Sequence, residues 1–439
     1  MTTPTLEDDA ARLCRDLLRI DSTNPGDGTG PGERAAAEYV MGQLQEVGLD
    51  PVLVESAPGR SSVLLRLEGA DPVRPGLVVH GHLDVVPAAA ADWSVDPFGA
   101  EERDGCLWGR GAVDMKDMDA MVLACVRDLA RSGRRPARPL TVVFFADEEA
   151  GGVFGSHWVV DNHPEWFAGA TEAISEVGGY SVTVPRADGT AARAYLIQTA
   201  EKGIAWLQLV ARGRAGHGSL VNTENAVTRL AQALARIAEH QWPRELIPSV
   251  RRLLVGLGEL TGQRYDEADL DASLAALGRA AAFVAPTLQD TVNPTMLSAG
   301  YKHNVIPQTA TARLDARFLP GHEPALLATL RELAGPYVDV EVMHGDISLD
   351  APFDAPLVAA MERALVAEDP GATVLPYCLS GGTDNKALSK LGITGYGFAP
   401  LRLPADLDFA AMFHGVDERV PLDSLAFGTR VMARFLANC

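Results

Sequence analysis

The chain has 439 residues, of which 47% are hydrophobic and 22% charged, as in a soluble globular protein large enough for two domains. Its net charge of −20 at pH 7 would repel a phosphate backbone, so we expect no nucleic-acid partner. The five cysteines are scattered without a C-x-x-C pair, which favours a reducing compartment over a disulfide framework. Because there is neither a signal-peptide pattern nor an apolar run of about 20 residues, we expect a cytoplasmic protein with no membrane partner.

The first third of the chain alternates between predicted helices and apolar strands. Helices are predicted from about Leu6 to Ile20 and from Glu33 to Val47, on either side of a loop rich in glycine and proline. Strands are predicted at 62–67, 76–80 and 140–145. This alternation indicates an α/β fold, with a sheet flanked by helices.

A further helix is predicted after Asp114. Its apolar side chains recur with the 3.6-residue period of one helix face: Met118, Met121, Val122, Cys125, Val126 and Leu129. This face predicts a helix packed on the sheet.

The middle of the chain predicts a smaller α+β unit. We expect strands at 203–212 and 338–343, and helices at 224–239 and 323–333. The segment 309–318 alternates between polar and apolar residues, which is typical of a half-buried strand. These elements fit a small domain inserted into the larger α/β domain.

A strand end carries the histidines His80 and His82, followed by Asp84. In an extended chain the three side chains share one face. Neutral imidazole is a good zinc ligand, and a nearby carboxylate can orient it and fix its tautomer. The alternative is a histidine pair that merely ends a strand.

Two more acidic positions follow along the chain. Asp114 directly precedes the predicted helix, where an aspartate commonly serves as an N-cap, so a structural role is a real alternative. At the end of the 140–145 strand, Glu148 and Glu149 belong to a run of three acids that repel one another unless water or a cation screens them. Two adjacent glutamates can divide the work, one binding metal and the other moving a proton.

The last two candidates are Glu176, at another strand end before two glycines, and His414, in a loop before the final helix. Each is a weak signal alone. Together the five segments supply two histidines and three carboxylates, which suits a site for two metal ions bridged by one carboxylate. A set of nitrogen and oxygen ligands without thiolate favours zinc, with cobalt or manganese as substitutes.

These motifs resemble those of the dinuclear zinc family that includes acetylornithine deacetylase, succinyl-diaminopimelate desuccinylase, aminoacylase and glutamate carboxypeptidase. The resemblance lies in H-x-D, W-x-x-D-P-F-G, L-W-G-R-G-A-x-D-M-K, D-E-E, E-x-G-G and a late H-G, in the family's order. It spans the chain from about residue 10 to the C-terminus. It implies a zinc-exopeptidase-like catalytic domain with a ferredoxin-like lid.

The resemblance also implies a role for each residue, with two Zn²⁺ bound per chain. Asp114 would bridge the ions, His82 and Glu176 would complete one site, and Glu149 and His414 the other. Glu148 would be the general base that moves a proton from the bridging water to the leaving nitrogen. Asp84 would hold His82.

By the same resemblance, residues 200–346 would form a lid and dimerisation domain, and residues 1–199 and 347–439 the catalytic domain. His217 would stabilise the oxyanion, across a homodimer in dimeric members, although the proline that usually follows it in the family is missing here. Asn304 and Arg317 would engage the substrate, Arg317 through a carboxylate.

The glycine-rich loop with Gly381, Gly382 and Thr383 resembles a substrate loop of the family, and its backbone N–H groups could hold an anion. A plain turn is the alternative. The predicted helical stretch 241–288 cannot be placed relative to the pocket from the sequence.

The predicted function is hydrolysis of the amide bond of an N-acyl-amino acid or small peptide by a metal-bridging water. Three alternatives stay open: a carboxypeptidase, a dipeptidase, or a non-catalytic relative that binds an amino-acid-like ligand. The sequence leaves the physiological substrate and the native metal undecided.

Overall fold

The computed structural model describes residues 4–439, apart from the side chain of Arg279. The strands are β1 Val52–Ala57, β2 Arg60–Leu67, β3 Gly76–His82, β4 Glu101–Arg103, β5 Cys106–Trp108, β6 Leu140–Phe145, β7 Ala170–Ser175, β8 Ser181–Pro185, β9 Ala191–Glu201, β10 Gly203–Arg212, β11 Gly216–His217, β12 Thr291–Ala299, β13 Val305–Ile306, β14 Thr309–Phe318, β15 Val338–Asp346, β16 Leu349–Asp350, β17 Thr373–Leu379, β18 Thr394–Gly397 and β19 Arg419–Pro421. The helices are α1 Leu6–Leu18, α2 Arg34–Gln45, α3 Lys116–Ser132, α4 Ser156–Asn162, α5 Ala226–Glu239, α6 Pro248–Thr261, α7 Leu270–Ala276, α8 Ala281–Val284, α9 Glu323–Ala334, α10 Pro356–Glu368, α11 Asn385–Ser389 and α12 Leu422–Asn438.

The larger sheet is mixed, with the strand order β1-β2-β6-β3-β7-β18-β9-β16, and β8 and β17 also pair with β9. Strands β6, β3, β7 and β18 run parallel to one another, whereas β1 pairs antiparallel with β2, β2 with β6, and both β18 and β16 with β9. Because β3, β6 and β7 are parallel, their C-terminal ends lie at the same edge of the sheet. Open α/β sheets place their sites at such an edge.

Both faces of this sheet are covered by helices, which explains the continuous apolar runs of its central strands. In β6, Val142 and Phe144 pack into the core shared with α1, α3 and α12, whereas Val143 and Phe145 face a second core with α4 and α11. All six residues of β6 are buried. The predicted mixed α/β sheet flanked by helices is confirmed.

The predicted elements match the structure closely at several places. The strand predicted at 309–318 is β14, and its alternate residues from Ala310 to Phe318 are buried. The apolar face predicted for the helix after Asp114 is buried in α3. However, α3 begins at Lys116 and its N-cap is Met115, so Asp114 is not the cap. The structural alternative for Asp114 therefore does not hold.

The smaller sheet is antiparallel, with the order β12-β14-β10-β15. Helices α5 and α9 pack on one face and form a separate core that includes Leu207, Leu230, Leu314 and Leu330. These elements correspond to the α+β unit predicted from the middle of the chain.

The helices α6 to α8 lie between the two halves of the smaller sheet in sequence, yet they pack elsewhere. Val250, Leu253, Leu257 and Val284 belong to the core of the larger sheet, where α6 lies against β17 and β9. The segment expected inside a lid of residues 200–346 is thus shared between two cores. In the described residues, no helix is long and apolar enough to cross a membrane.

Candidate metal centre

Five predicted ligand residues converge at one edge of the larger sheet. His82 ends β3, Glu149 follows β6 and Glu176 follows β7, so the three come from the C-terminal ends of adjacent parallel strands. Asp114 lies in the loop before α3, and His414 in the loop before β19. The sheet topology therefore brings together residues that are up to 332 positions apart in the sequence.

The first cluster consists of His82, Asp114 and Glu176, whose ligand atoms all lie within 4.8 Å of one another. His82 Nε2 is 3.2 Å from Asp114 Oδ1 and 3.5 Å from Glu176 Oε2. All three residues are buried. Their spacing is that of side chains able to surround a single cation.

The second cluster consists of Asp114, Glu149 and His414, again within 4.8 Å. His414 Nε2 lies 3.3 Å from Asp114 Oδ2 and 3.1 Å from Glu149 Oε2. Asp114 thus turns one carboxylate oxygen towards each cluster. A shared carboxylate in this position suits a bridging ligand between two metal ions.

The donor set fits a pair of divalent cations. Each cluster offers one imidazole nitrogen and two carboxylates, a combination suited to zinc. Within the described part of the chain, Glu149 Oε1 is buried without a hydrogen-bond partner, which a cation would resolve. Burial raises the pKa of Glu176 to about 8, because the charged carboxylate loses its hydration.

Left-handed backbone conformations shape the loops around these ligands. His414 has φ 56°, Val177, directly after Glu176, has φ 56°, and Asp147, directly before Glu148, has φ 66°. Non-glycine residues adopt this region only at a cost in free energy, and such residues concentrate at functional sites. Here the three conformations turn the chain sharply at His414, directly after Glu176 and directly before Glu148.

Asp84 holds the ligand loops through both its backbone and its carboxylate. Its carbonyl oxygen lies 3.0 Å from His82 Nδ1, so Nδ1–H donates there and Nε2 is left free to bind a cation. Its carboxylate accepts hydrogen bonds from the backbone N–H groups of Glu148 and Glu149, both at 3.1 Å, and from Asn24 Nδ2 at 2.8 Å. Asp84 therefore links the orientation of His82 to the loop after β6.

Glu148 lies beside both clusters without belonging to either. Its Oε2 is 3.9 Å from His82 Nε2. Burial, together with the nearby negative charge of Glu176, raises the pKa of Glu148 well above its usual range. A rise in this direction moves a carboxyl group towards the pKa range that suits general acid–base catalysis.

A cavity of about 350 Å³ is lined by Asp114, Glu148, Glu149, Glu176 and His414. The predicted substrate residues Arg317, Gly381, Gly382 and Thr383 also line it. Arg317 makes two hydrogen bonds to the carboxylate of Asp315, at 2.6 and 3.0 Å, which fix the plane of its guanidinium.

His217 and Asn304 lie outside this cavity in the single chain. They adjoin each other where β11 pairs with β13, and Gly218 N–H donates to the Asn304 carbonyl oxygen at 2.9 Å. Both side chains are exposed. The structure brings these two residues together with each other, but not with the metal clusters of the same chain.

Two further residues of the site, Glu418 and Lys386, were not predicted from the sequence. Glu418 is completely buried, and its carboxylate accepts hydrogen bonds from Arg110 Nη1 at 2.7 Å and from three backbone N–H groups, including that of Asp114 at 3.1 Å. Lys386, in α11, is buried and lines the cavity, with Nζ donating to the Lys202 carbonyl oxygen at 2.8 Å. The signal for Glu418 was its place four residues after His414, and the signal for Lys386 was its place just after the glycine-rich loop.

The fold and the paired clusters define an α/β protein with the side chains of a metallohydrolase. A family model described as peptidase family M20/M25/M40 matches residues 78–438, and the chain belongs to this family. The predicted resemblance is thereby confirmed, and with it the general class, a hydrolase of amide bonds.

Two curated relatives and one solved structure illustrate the similarity. Aminoacylase-1 of Homo sapiens is 28% identical, over 99% of this chain and 96% of that protein. Succinyl-diaminopimelate desuccinylase of Rhodospirillum centenum is 34% identical over 52% of this chain and 56% of that protein. The M20 family metallo-carboxypeptidase of Sulfolobus solfataricus has the same fold, with a TM-score of 0.74 at 19% identity over 98% of this chain and 99% of that one.

Proposed function

We propose that the chain is a hydrolase with two metal ions that cleaves the amide bond of an N-acyl-amino acid or small peptide. The observation that carries the proposal is the pair of clusters that share Asp114 beside Glu148 in one cavity. His82 and Glu176 would hold one ion, and Glu149 and His414 the other, with zinc preferred and cobalt or manganese as substitutes. When bound, such ions polarise a carbonyl group and lower the pKa of a water molecule.

Glu148 is the residue that would move the proton. Its carboxylate would accept a proton from the attacking water and then donate it to the leaving nitrogen. The raised pKa supports this role, because a carboxyl group with an ordinary pKa of about 4.3 holds a proton poorly at neutral pH.

Arg317 would bind the substrate carboxylate. A guanidinium pairs with a carboxylate through two parallel hydrogen bonds, and Asp315 already fixes its orientation. The backbone N–H groups of Gly381, Gly382 and Thr383 would contribute donors from the neighbouring loop.

We favour a deacylase over an exopeptidase because the chain is 28% identical to aminoacylase-1 and 19% identical to the metallo-carboxypeptidase, each over almost its whole length. The alternative, a carboxypeptidase or dipeptidase, is distinguished by its products. A deacylase releases a carboxylic acid and an amino acid from N-acyl substrates, whereas an exopeptidase releases two amino acids or a shortened peptide. A non-catalytic relative is disfavoured, because every expected ligand and Glu148 are present.

We also propose a homodimer formed through the smaller sheet, with residues 200–346 as its lid and dimerisation part. His217 and Asn304 lie on an exposed surface away from the clusters, so they would serve the cavity of a second copy. The same residues 200–346 expose apolar side chains on the edge strand β12 and in the loops that follow β11 and β12: Leu220, Val221, Met296, Leu297 and Tyr301. Unpaired strand edges with exposed apolar groups favour association. A cytoplasmic location stays a prediction from the sequence.

Substitution of Glu148 tests the proposed chemistry. The Glu148→Ala variant should lose hydrolysis by at least about a hundredfold, the usual contribution of a general acid–base group, while its metal content stays that of the wild type. The matched variant Glu149→Ala should lose metal as well as activity. Activity that survived in Glu148→Ala would contradict the assigned proton transfer.

A further inference from the structure

An aromatic wall forms part of the lining of the cavity beside the metal clusters. Tyr180, Phe283, Tyr377 and Phe413 line the cavity, and Phe409 lies behind them. The ring centroids of Tyr180 and Phe283 are 5.4 Å apart, those of Phe283 and Tyr377 6.1 Å, and those of Phe409 and Phe413 5.2 Å. These are ordinary separations for packed aromatic rings, so the rings support one another.

The wall adjoins the metal clusters and includes a residue from the helices α6 to α8. Phe413 directly precedes His414, and Tyr180 follows Glu176 by four residues. Phe283 comes from α8, which the packing of α6 to α8 on the larger core holds at the cavity. Tyr180 and Tyr377 are 1% and 4% exposed, whereas Phe283 is only half-buried. The wall thus combines two buried tyrosine rings with the phenylalanine ring of Phe283, which a ligand can contact.

The cationic residues of the cavity come from two other elements, β14 and α11. Arg317 and Lys386 line it together with the glycine-rich loop. An ammonium group has three donors, and Lys386 uses one on the Lys202 carbonyl oxygen. Both cations would attract the carboxylate of an N-acyl-amino acid.

The shape of an amide then decides which part of the substrate meets the wall. A secondary amide is planar and trans, so its acyl group and its nitrogen substituent extend in opposite directions. The amino acid, with its carboxylate, is the nitrogen substituent. If the cations bind that carboxylate and the amide lies at the metal clusters, the acyl group extends away from the cations.

We propose that the aromatic wall binds the acyl group of the substrate and selects bulky apolar acyl groups over acetyl. This inference rests on the proposed deacylase function. In the proposed complex an aromatic or branched acyl group buries apolar surface against the half-buried rings of Phe283 and Phe413, and an acetyl group buries much less. The natural substrates would thus be amino acids that carry an apolar acyl chain or ring.

Three substrates test the proposal on the metal-loaded enzyme. N-acetylalanine is the reference, N-(3-phenylpropanoyl)alanine enlarges only the acyl group, and N-acetylphenylalanine places a ring only on the amino acid. The wild type should show at least about tenfold higher kcat/KM for N-(3-phenylpropanoyl)alanine than for N-acetylalanine, the order expected for burial of one apolar group.

Two variants of Phe283 test whether this ring causes the preference for the larger acyl group. Phe283→Ala should lower kcat/KM for N-(3-phenylpropanoyl)alanine at least about fivefold, and by a larger factor than it lowers kcat/KM for N-acetylalanine. Phe283→Trp, which fills the pocket, should shift the preference towards shorter acyl groups. The matched control is Phe353→Ala, because Phe353 is also half-buried but packs under Arg252 at a separate surface pocket.

The possible outcomes distinguish the assignment of the aromatic wall to the acyl group from the proposed hydrolysis. A loss confined to N-acetylphenylalanine in Phe283→Ala, or an equal loss with all three substrates, would overturn the assignment of the wall to the acyl group. Binding of the uncleaved substrates to Glu148→Gln, measured by calorimetry, should show the same order as kcat/KM. Tight binding of N-(3-phenylpropanoyl)alanine without hydrolysis by the wild type would refute the proposed function and leave the subsite intact. Hydrolysis by the wild type without a preference for the larger acyl group would refute the acyl subsite and leave the proposed function intact.

Discussion

At the scale of single residues, the buried carboxylate of Glu418 organises the loop that presents Asp114. It accepts hydrogen bonds from the backbone N–H groups of Gly111, Val113 and Asp114 and from Arg110. Burial raises the pKa of Glu418 to about 7, and these donors oppose that rise by favouring its charged form. Asp114 can serve both clusters only while its backbone is held in place.

Replacement of Glu418 by glutamine should therefore weaken metal binding. The amide keeps the shape of the carboxylate but puts an NH₂ group opposite N–H donors. We expect the affinity for Zn²⁺ to fall by roughly 10- to 100-fold, as for other residues that orient metal ligands. Competition with a chromophoric chelator measures the affinity, and Glu239→Gln, on an exposed helix position, is the control. An unchanged affinity in a folded Glu418→Gln protein would show that this residue does not position Asp114.

At the scale of elements, the turn after β7 depends on a close approach between two backbones. A Cβ on Gly178 would lie 2.1 Å from the Gly397 carbonyl oxygen and 2.8 Å from the Gln198 backbone nitrogen. The same Gly178 accepts a backbone hydrogen bond from Ala399. The turn carries Glu176, so a displacement here moves a proposed ligand.

Gly178→Ala should lower the free energy of unfolding by about 2 kcal/mol or more, because backbone atoms cannot give way as a flexible side chain can. Its metal content should fall in parallel. Gly42→Ala is the matched control, since Gly42 lies within α2 and, outside its own helix, no atom of residues 4–439 comes within 4 Å of the added Cβ; it should raise stability by about 0.5–1 kcal/mol. Thermal unfolding measures both variants. A Gly178→Ala protein as stable as the wild type would contradict the close approach.

The sequence predicted the elements whose structure follows from a local residue pattern. It did not predict those whose position depends on contacts between residues distant in sequence. β14 and α3 have regular periods, and their predicted faces are buried. β9 and β17 have no such period, because they are buried along most of their length in the sheet interior. The helices α6 to α8 show helical character in the sequence, but nothing local indicates that they pack on the larger core.

The same distinction holds for the site. His82, Asp114 and Glu176 could be predicted because their short motifs resemble a known family. Glu418 and Lys386 could not be assigned, because their roles follow from burial against loops that are distant in sequence.

At the scale of the whole molecule, a dimer would complete the cavity with His217 from a second copy. Mixing two inactive variants tests this arrangement. Glu148→Ala and His217→Ala chains, unfolded and refolded together, should regain up to about one quarter of wild-type activity, because half of random dimers are mixed and each has one complete site.

The control mixture is Glu148→Ala with Arg317→Ala. Arg317 lines the cavity of its own chain, so neither site of a mixed dimer would be complete and no activity should return. Light scattering should give the mass of two chains. A monomer, or a His217→Ala mixture that stays as inactive as the control, would refute the proposed dimer.

The central claim is that two metal ions act in one site built around Asp114. The most direct measurement removes metal with a chelator and follows hydrolysis of an N-acyl-amino acid while Zn²⁺ is added back. We predict that activity disappears on chelation and returns up to two bound ions per chain, and that the Asp114→Ala protein binds neither ion tightly. Full activity in protein that holds fewer than about one divalent ion per chain would contradict the account.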